Sequence, residues 1–156
     1  MKIKHNRKNL ILSPSPEELL EFLPDHLINI VIVGAGEALK DIVSLIRDYP
    51  QYKIVGIVDP HIQLRGEFLM DLPVLGWLAE IPQHTENVVI GTPYVRNGFD
   101  REAVFRMLIK KGKRLPTLTA FDAKYDGMLL FKTGTIILSG AQIKEGASIE
   151  ENCLIG

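Results

Sequence analysis

The sequence predicts an α/β protein, a small parallel-sheet unit followed by the start of a parallel β-helix built on hexapeptide repeats. Two observations carry that expectation. Phe131, Ile137, Ile143, Ile149 and Ile155 fall six residues apart, with Leu129, Thr135, Ala141, Ala147 and Cys153 two places ahead of them. Gly134, Gly140 and Gly146 keep the same beat. One bulky and one small residue per six marks a coil whose sides are short strands joined by turns, and a glycine at fixed phase suits a turn with positive φ. The competing reading, a meander whose apolar residues happen to align, has to account for every hit separately. Upstream, β-branched apolar runs alternate with amphipathic helical stripes, the pattern of a parallel sheet covered by helices.

The elements follow in order. Ser15 as N-cap, Pro16 at the first helical position and Glu18 three residues after the cap predict a short helix to about Phe22 or Leu23, stopped by Pro24. Leu19, Leu20 and Leu23 are its apolar face. Ile28 to Val33 reads as a strand buried on both sides, followed at once by Gly34-Ala35-Gly36 and by a helix whose Leu39, Ile42, Val43 and Ile46 share one stripe. That helix should end near Asp48 to Pro50. Lys53 to Val58 is the second strand and delivers Asp59 at its end, where Pro60 breaks it. Leu72 to Gly76 is a short extended piece, Trp77 to Ile81 a single helical turn, and Asn87 to Ile90 a third strand closed by Gly91. Phe99 to Lys111 should be a helix with Val104, Met107 and Leu108 inward. Asp100 and Glu102 lie in its first turn, and Lys110, Lys111, Lys113 and Arg114 gather round its end at Gly112, each sign complementing the helix dipole. A strand at Leu115 to Leu118 and a turn-rich passage at Asp122 to Gly127 lead into the repeat. The predicted organisation is an extension over 1–27, the sheet unit over 28–120 and the first coil or coils over 121–156.

Composition narrows the function classes. A chain of 156 residues with 46% apolar content can bury a real core, and a formal net charge of -1 offers no electrostatic case for nucleic acid or an anionic membrane surface. The lone Cys153 excludes an internal disulfide and suits a reducing compartment. No signal peptide is readable, and no apolar stretch approaches the roughly 20 residues that span a bilayer. The expected location is cytoplasmic.

The chemistry concentrates at the ends of the predicted strands. A strand followed by Gly-x-Gly and a helix brings backbone N–H groups and the positive helix end to one point, which suits a phosphate at Gly34, Ala35 and Gly36. The dinucleotide fingerprint is incomplete, because Leu39 stands where its third glycine would be. Asp59 lies where a carboxylate could accept a ribose hydroxyl. Both also have a plain structural reading, a tight turn and a cap. Gly91 and Arg96, on the loop after the third strand, lie at the edge where open α/β sheets bind ligands, and Arg96 is a candidate for phosphate recognition. Glu37 would repel a phosphate bound at the turn unless it points away. His5, His26, His61 and His84 are scattered without metal-ligand spacing, so no metal is expected, and there is no Gly-x-Ser-x-Gly elbow.

Taken together, Ile30-Val31-Ile32-Val33-Gly34-Ala35-Gly36, Val58-Asp59, Pro73-Val74-Leu75-Gly76, Ile90-Gly91 with Arg96, and the repeat from Gly134 resemble the sugar O-acyltransferase family. That family includes sialic acid O-acetyltransferases and UDP-amino-sugar N-acetyltransferases of bacterial glycan pathways. The resemblance implies a Rossmann-like domain that binds a nucleotide-sugar, such as a UDP-sugar, followed by a left-handed β-helix. It further implies a homotrimer, with acetyl-CoA as co-substrate bound between subunits. Two departures limit it. Where the family has a further small residue and a histidine before a lysine, this chain has Glu37, Ala38 and Leu39, with only Lys40 matching. The family's catalytic histidine, a general base in the β-helix, has no counterpart, since no histidine follows His84.

The expected function is therefore the N-terminal portion of an acetyl-CoA-dependent nucleotide-sugar acetyltransferase. No catalytic residue is expected in it, the acetyl-CoA site should be missing, and this polypeptide should be inactive alone. The alternatives are a nucleotide-binding or assembly module without catalysis and, more remotely, an NAD(P)-dependent oxidoreductase domain.

Overall fold

The computed structural model describes residues 27–92, 100–127 and 130–156. The expected helix after Ser15, together with Arg96, Phe99 and Leu129, lies outside the described residues. Strand β1 (Ile28–Val33) is followed by helix α1 (Leu39–Arg47) and strand β2 (Tyr52–Val58), which pairs parallel to β1. β3 (Phe68–Leu69) and β4 (Leu72–Gly76) form an antiparallel pair across a turn in which Met70 and Asp71 both take positive φ. β5 (Asn87–Ile90) returns to the other side of β1, again parallel. The sheet order is β3-β4-β2-β1-β5.

The run of apolar residues in β1 makes sense because both faces of the sheet are covered. Ile30 and Ile32 face α1 and its Leu39, Ile42, Val43, Leu45 and Ile46. Val31 and Val33 face helix α2 (Arg101–Lys110) and its Val104, Phe105 and Leu108. Asp100 caps α2, its carboxylate accepting from the N–H groups of Glu102 at 2.9 Å and Ala103 at 3.2 Å. The expected inward set for this helix needs correction. Met107 is 36% exposed while Phe105 is 3% exposed, because the packed stripe runs through 101, 104, 105 and 108 and faces both the sheet and Gly134.

The chain beyond α2 stacks on itself. β6 (Leu118–Thr119) pairs in parallel with β8 (Ile136–Ile137), and β8 with β10 (Leu154–Ile155). β7 (Lys124–Tyr125) pairs in parallel with β9 (Gln142–Ile143). Every partner lies 18 residues further on, and side chains repeat that step. Lys132 contacts Glu150, and the Gly140 N–H donates to Asp122 at 3.1 Å. Thr117 donates to the Lys132 carbonyl at 2.9 Å, and Thr135, one step later, donates to the Glu150 carbonyl at 2.8 Å.

The expected strand over Leu115 to Leu118 is thus displaced. Leu115 packs under α2, whereas the strand is Leu118–Thr119 and its partner is Ile136–Ile137 rather than the five-stranded sheet. Pairing also begins before Phe131, the first residue of the six-residue beat, and includes Lys124–Tyr125 in the passage expected to be turn-rich. Phe131, Ile137, Ile143, Ile149 and Ile155 do converge in one cluster with Ala123 and Ala141. Gly134, Gly140 and Gly146 have φ of 73°, 77° and 82°, and Asn152 takes the next beat at 59°. The larger core is continuous with the stack, since Leu118, Ala120 and Ile136 pack in the same cluster as Ile30 and α1.

Candidate functional site

Strand order defines the crevice. The chain leaves β1 toward β2 on one side and comes back as β5 on the other, so the C-terminal ends of the paired strands β1 and β5 form the switch point at which open parallel sheets take ligands. The Gly34–Gly36 turn and the Gly91–Thr92 loop meet there. Gly34 has φ of 100°, and a Cβ on it would lie 3.0 Å from the Thr92 Cβ. Glycine is needed at that position for backbone conformation and close approach together. Gly91 answers to packing, since a Cβ there would meet Ile32 and Ile42 at 3.1 Å. Gly36 is different. It has ordinary φ and only a 3.9 Å contact to the Thr92 hydroxyl, so its missing side chain leaves room above the start of α1. No side chain caps that helix start at Ala38.

Asp59 reaches the turn from the end of β2. Its own N–H donates to the Gly76 carbonyl at 2.7 Å, which fixes the exit of the strand. Its carboxylate is 7% exposed and turns inward, with Oδ2 accepting from the Ala35 N–H at 2.7 Å. Oδ1 accepts from the His61 N–H at 2.9 Å and lies 2.6 Å from the His61 Nδ1. The structure therefore brings Gly34, Ala35, Gly36, Asp59 and Gly91 to one edge. It also shows that the Ala35 N–H, one of the donors expected for a phosphate, is already engaged by a carboxylate. Glu37 is exposed beside them.

Two groups escaped the sequence reading. Thr92 lies against the glycine turn, at a place where Gly91 and Arg96 drew attention instead. Arg101, the first residue of α2, is 8% exposed and joins three segments. Its Nη1 donates to the carbonyls of Ile90 at 2.6 Å and Thr92 at 2.8 Å, and its Nε donates to that of Asn152 at 2.9 Å. Burial pushes its pKa down to about 10, which leaves it charged at neutral pH. Its position on the inward stripe of α2 was the available signal. The basic group at the other end of α2 behaves as a solvated helix end. Lys113 donates to the Thr85 carbonyl at 2.7 Å and Arg114 pairs with Glu86 at 3.6 Å.

Among the described residues, no group of three or more His, Cys, Asp or Glu is placed to hold a metal ion. No helix among them is long and apolar enough to cross a membrane.

No protein-family model matches the sequence, and no curated protein matches it closely. Solved structures do match the fold. A histidine-to-alanine mutant of GDP-perosamine N-acetyltransferase from Caulobacter crescentus, in complex with CoA and GDP-perosamine, has a TM-score of 0.61 at 19% identity, over 74% of this chain and 53% of that one. PerB from the same organism, also with CoA and GDP-perosamine, has a TM-score of 0.58 at 19% identity, over 81% and 62%. The acetyltransferase domain of PglB from Neisseria gonorrhoeae in complex with acetyl coenzyme A has a TM-score of 0.51 at 18% identity, over 82% and 67%. This chain thus spans between about half and two thirds of the length of each. The resemblance to sugar acetyltransferases expected from the sequence holds at the level of the fold.

Proposed function

We propose that the chain is the nucleotide-sugar-binding portion of an acetyl-CoA-dependent sugar acetyltransferase of bacterial surface-glycan synthesis. In this reading the sheet unit is Rossmann-like and the stacked pairs are the first coils of a left-handed, hexapeptide β-helix that trimerises. One observation carries it: a parallel sheet with a glycine turn at its switch crevice continues directly into strands that pair every 18 residues, the length of three hexapeptides. Neighbours with this fold are named as a GDP-perosamine N-acetyltransferase and as the acetyltransferase domain of PglB, and the perosamine enzymes hold GDP-perosamine beside CoA.

The nucleotide-sugar would lie in the crevice with its phosphates over Gly36 and the uncapped start of α1, where the helix dipole favours an anion. Gly34 and Ala35 shape the turn, Asp59 and Gly91 flank it, and Arg96 is assigned to the phosphates. Acetyl transfer needs a base within hydrogen-bond reach of the sugar amine or hydroxyl. No histidine occurs in these residues after His84, so the stacked pairs described supply none of that type. Binding without turnover is the expected behaviour of the 156 residues.

A non-catalytic assembly role is the second reading, favoured by the Asp59 carboxylate at the Ala35 N–H. An NAD-dependent role is disfavoured by Leu39, which is 6% exposed and fills the space that a third glycine would leave for closer packing. Isothermal titration with UDP- and GDP-sugars, acetyl-CoA and NAD separates the three. Heat from a nucleotide-sugar alone, lost in Gly34→Val, supports the proposal. Silence on all ligands favours assembly, and NAD binding overturns the proposal.

A further inference from the structure

Asp59 is the residue that the sequence points to for a ribose, yet its carboxylate is the wrong group to touch one. It is buried, and both oxygens are engaged by the Ala35 N–H and by the backbone and ring of His61. A carboxylate only accepts, so the proton on the His61–Asp59 contact belongs to Nδ1. In the neutral ring that donates from Nδ1, Nε2 is the acceptor on the far side. The imidazole is 54% exposed, so this far side is open to solvent.

The ring is also held in place. Pro60 separates it from Asp59, the Asp59 N–H is tied to Gly76, and the His61 carbonyl accepts from the Leu64 N–H at 3.0 Å to start a tight turn. Through Asp59 and the Ala35 N–H the ring is joined by two hydrogen bonds to the glycine turn. We infer that His61 is the side chain that meets the ribose of the nucleotide, accepting a hydroxyl hydrogen bond at Nε2, while Asp59 is the positioning residue behind it. This rests on the nucleotide reading of the crevice and transfers the contact from Asp59 to its neighbour.

Uridine and guanosine diphosphates and their 2′,3′-dideoxy counterparts provide the probes, titrated into the whole chain. Wild type should bind the better ribonucleotide about 3- to 10-fold more tightly than its dideoxy form, the effect of one neutral hydrogen bond. His61→Asn places an amide N–H where Nδ1 stands, so it keeps the bond to Asp59 and loses only the acceptor. It should bind the ribonucleotide as weakly as wild type binds the dideoxy form and should not tell the two apart. His61→Gln, whose amide reaches the Nε2 position, should recover part of the difference. With the ring neutral, a nitrogen-detected spectrum of the free protein should show a protonated Nδ1 and a bare Nε2. Equal affinity of wild type and His61→Asn, or a protonated Nε2 with a bare Nδ1, overturns the inference while leaving the crevice reading intact. A wild type that binds neither diphosphate overturns the crevice reading and this inference with it.

Discussion

The sheet unit and the stacked pairs build their cores from very different densities of apolar residue. In β1 four successive residues, Ile30 to Val33, are completely buried, two against each helix. In the stack the interior is supplied by roughly one large residue in six, and much of the cohesion comes from backbone ladders and from polar contacts repeated at each 18-residue step. A sheet covered on both faces holds its strand ends rigid, so the loops beyond them can be shaped for a ligand. A stack of short rungs has no such reserve and depends on its neighbours. Arg101 is one place where the two kinds of construction are joined, beside the packing of Leu118, Ala120 and Ile136 against α1.

Arg101→Met should therefore have the largest effect. The replacement keeps length and apolar bulk but leaves the carbonyls of Ile90, Thr92 and Asn152 without their donor in a buried setting. Each unmatched buried acceptor costs about 1–3 kcal/mol, and with partial relaxation a total loss of about 3–5 kcal/mol is expected in denaturant unfolding. The midpoint should fall for probes in both regions. A loss below about 1 kcal/mol would show that the joint is not held by this side chain.

Two matched truncations come next. Ile32→Ala and Ile137→Ala each remove a side chain with no exposed surface, so each should cost about 2–5 kcal/mol. Their reach should differ. Ile32 packs in the cluster that includes both α1 and the first rungs, so its loss should lower protection against amide exchange throughout the molecule. Ile137 belongs to the small cluster of the stack, and faster exchange should be confined to residues 118–156. Uniform exchange in both variants would mean that the two regions open as one unit.

How much of this was legible follows from the same contrast. β1, α1 and the large residues of the six-residue beat were readable because apolar periodicity reports burial directly. The first rungs were missed because Thr119 and Tyr125 continue the beat without aliphatic side chains, although Tyr125 packs edge-on against Phe131 at 5.6 Å. Asn152 was missed because the beat was followed through glycine alone, while asparagine also tolerates positive φ. Asp59 was recognised by its place at a strand end, but its partners depend on a contact with Ala35, 24 residues away, that no local pattern encodes. His61, only two residues from Asp59, was set aside because the histidines were weighed for metal-ligand spacing alone. Its significance lies in what it touches, not in its spacing from other histidines.

The glycine beat offers a smaller and sharper test. Gly140→Ala forces an L residue to φ near 77° with open space around the new Cβ, so the cost should be conformational only, about 1–2 kcal/mol. Gly134→Ala adds a contact of 3.1 Å with Phe105 at the joint with α2 and should cost more. Gly140→Asn should cost less than Gly140→Ala, because Asn152 already occupies the equivalent place two repeats on. Thermal unfolding of the three variants checks the ranking, and equal values for Gly134→Ala and Gly140→Ala would remove the packing component.

Acid should separate the two regions most gently. Asp122 is held below its ordinary 3.8, chiefly by the Ser139 hydroxyl, and Glu150 below its ordinary 4.5, chiefly by Lys132. Both carboxylates link successive rungs. A folded-state pKa below the unfolded one means that the unfolded chain binds more protons in that window, so stability falls as pH falls through it. The contribution of these contacts is complete above about 4.5 and is lost as each carboxylate protonates at lower pH. Both groups are fully exposed, so the effect is small and salt-sensitive. An exchange titration from neutrality to about pH 3 should loosen residues 118–156 before β1 and β2, and Asp122→Asn with Glu150→Gln should flatten that early phase. Simultaneous loosening of sheet and stack would place the acid-sensitive groups elsewhere, and the contrast between a densely buried sheet and a polar-tied stack would lose its electrostatic part.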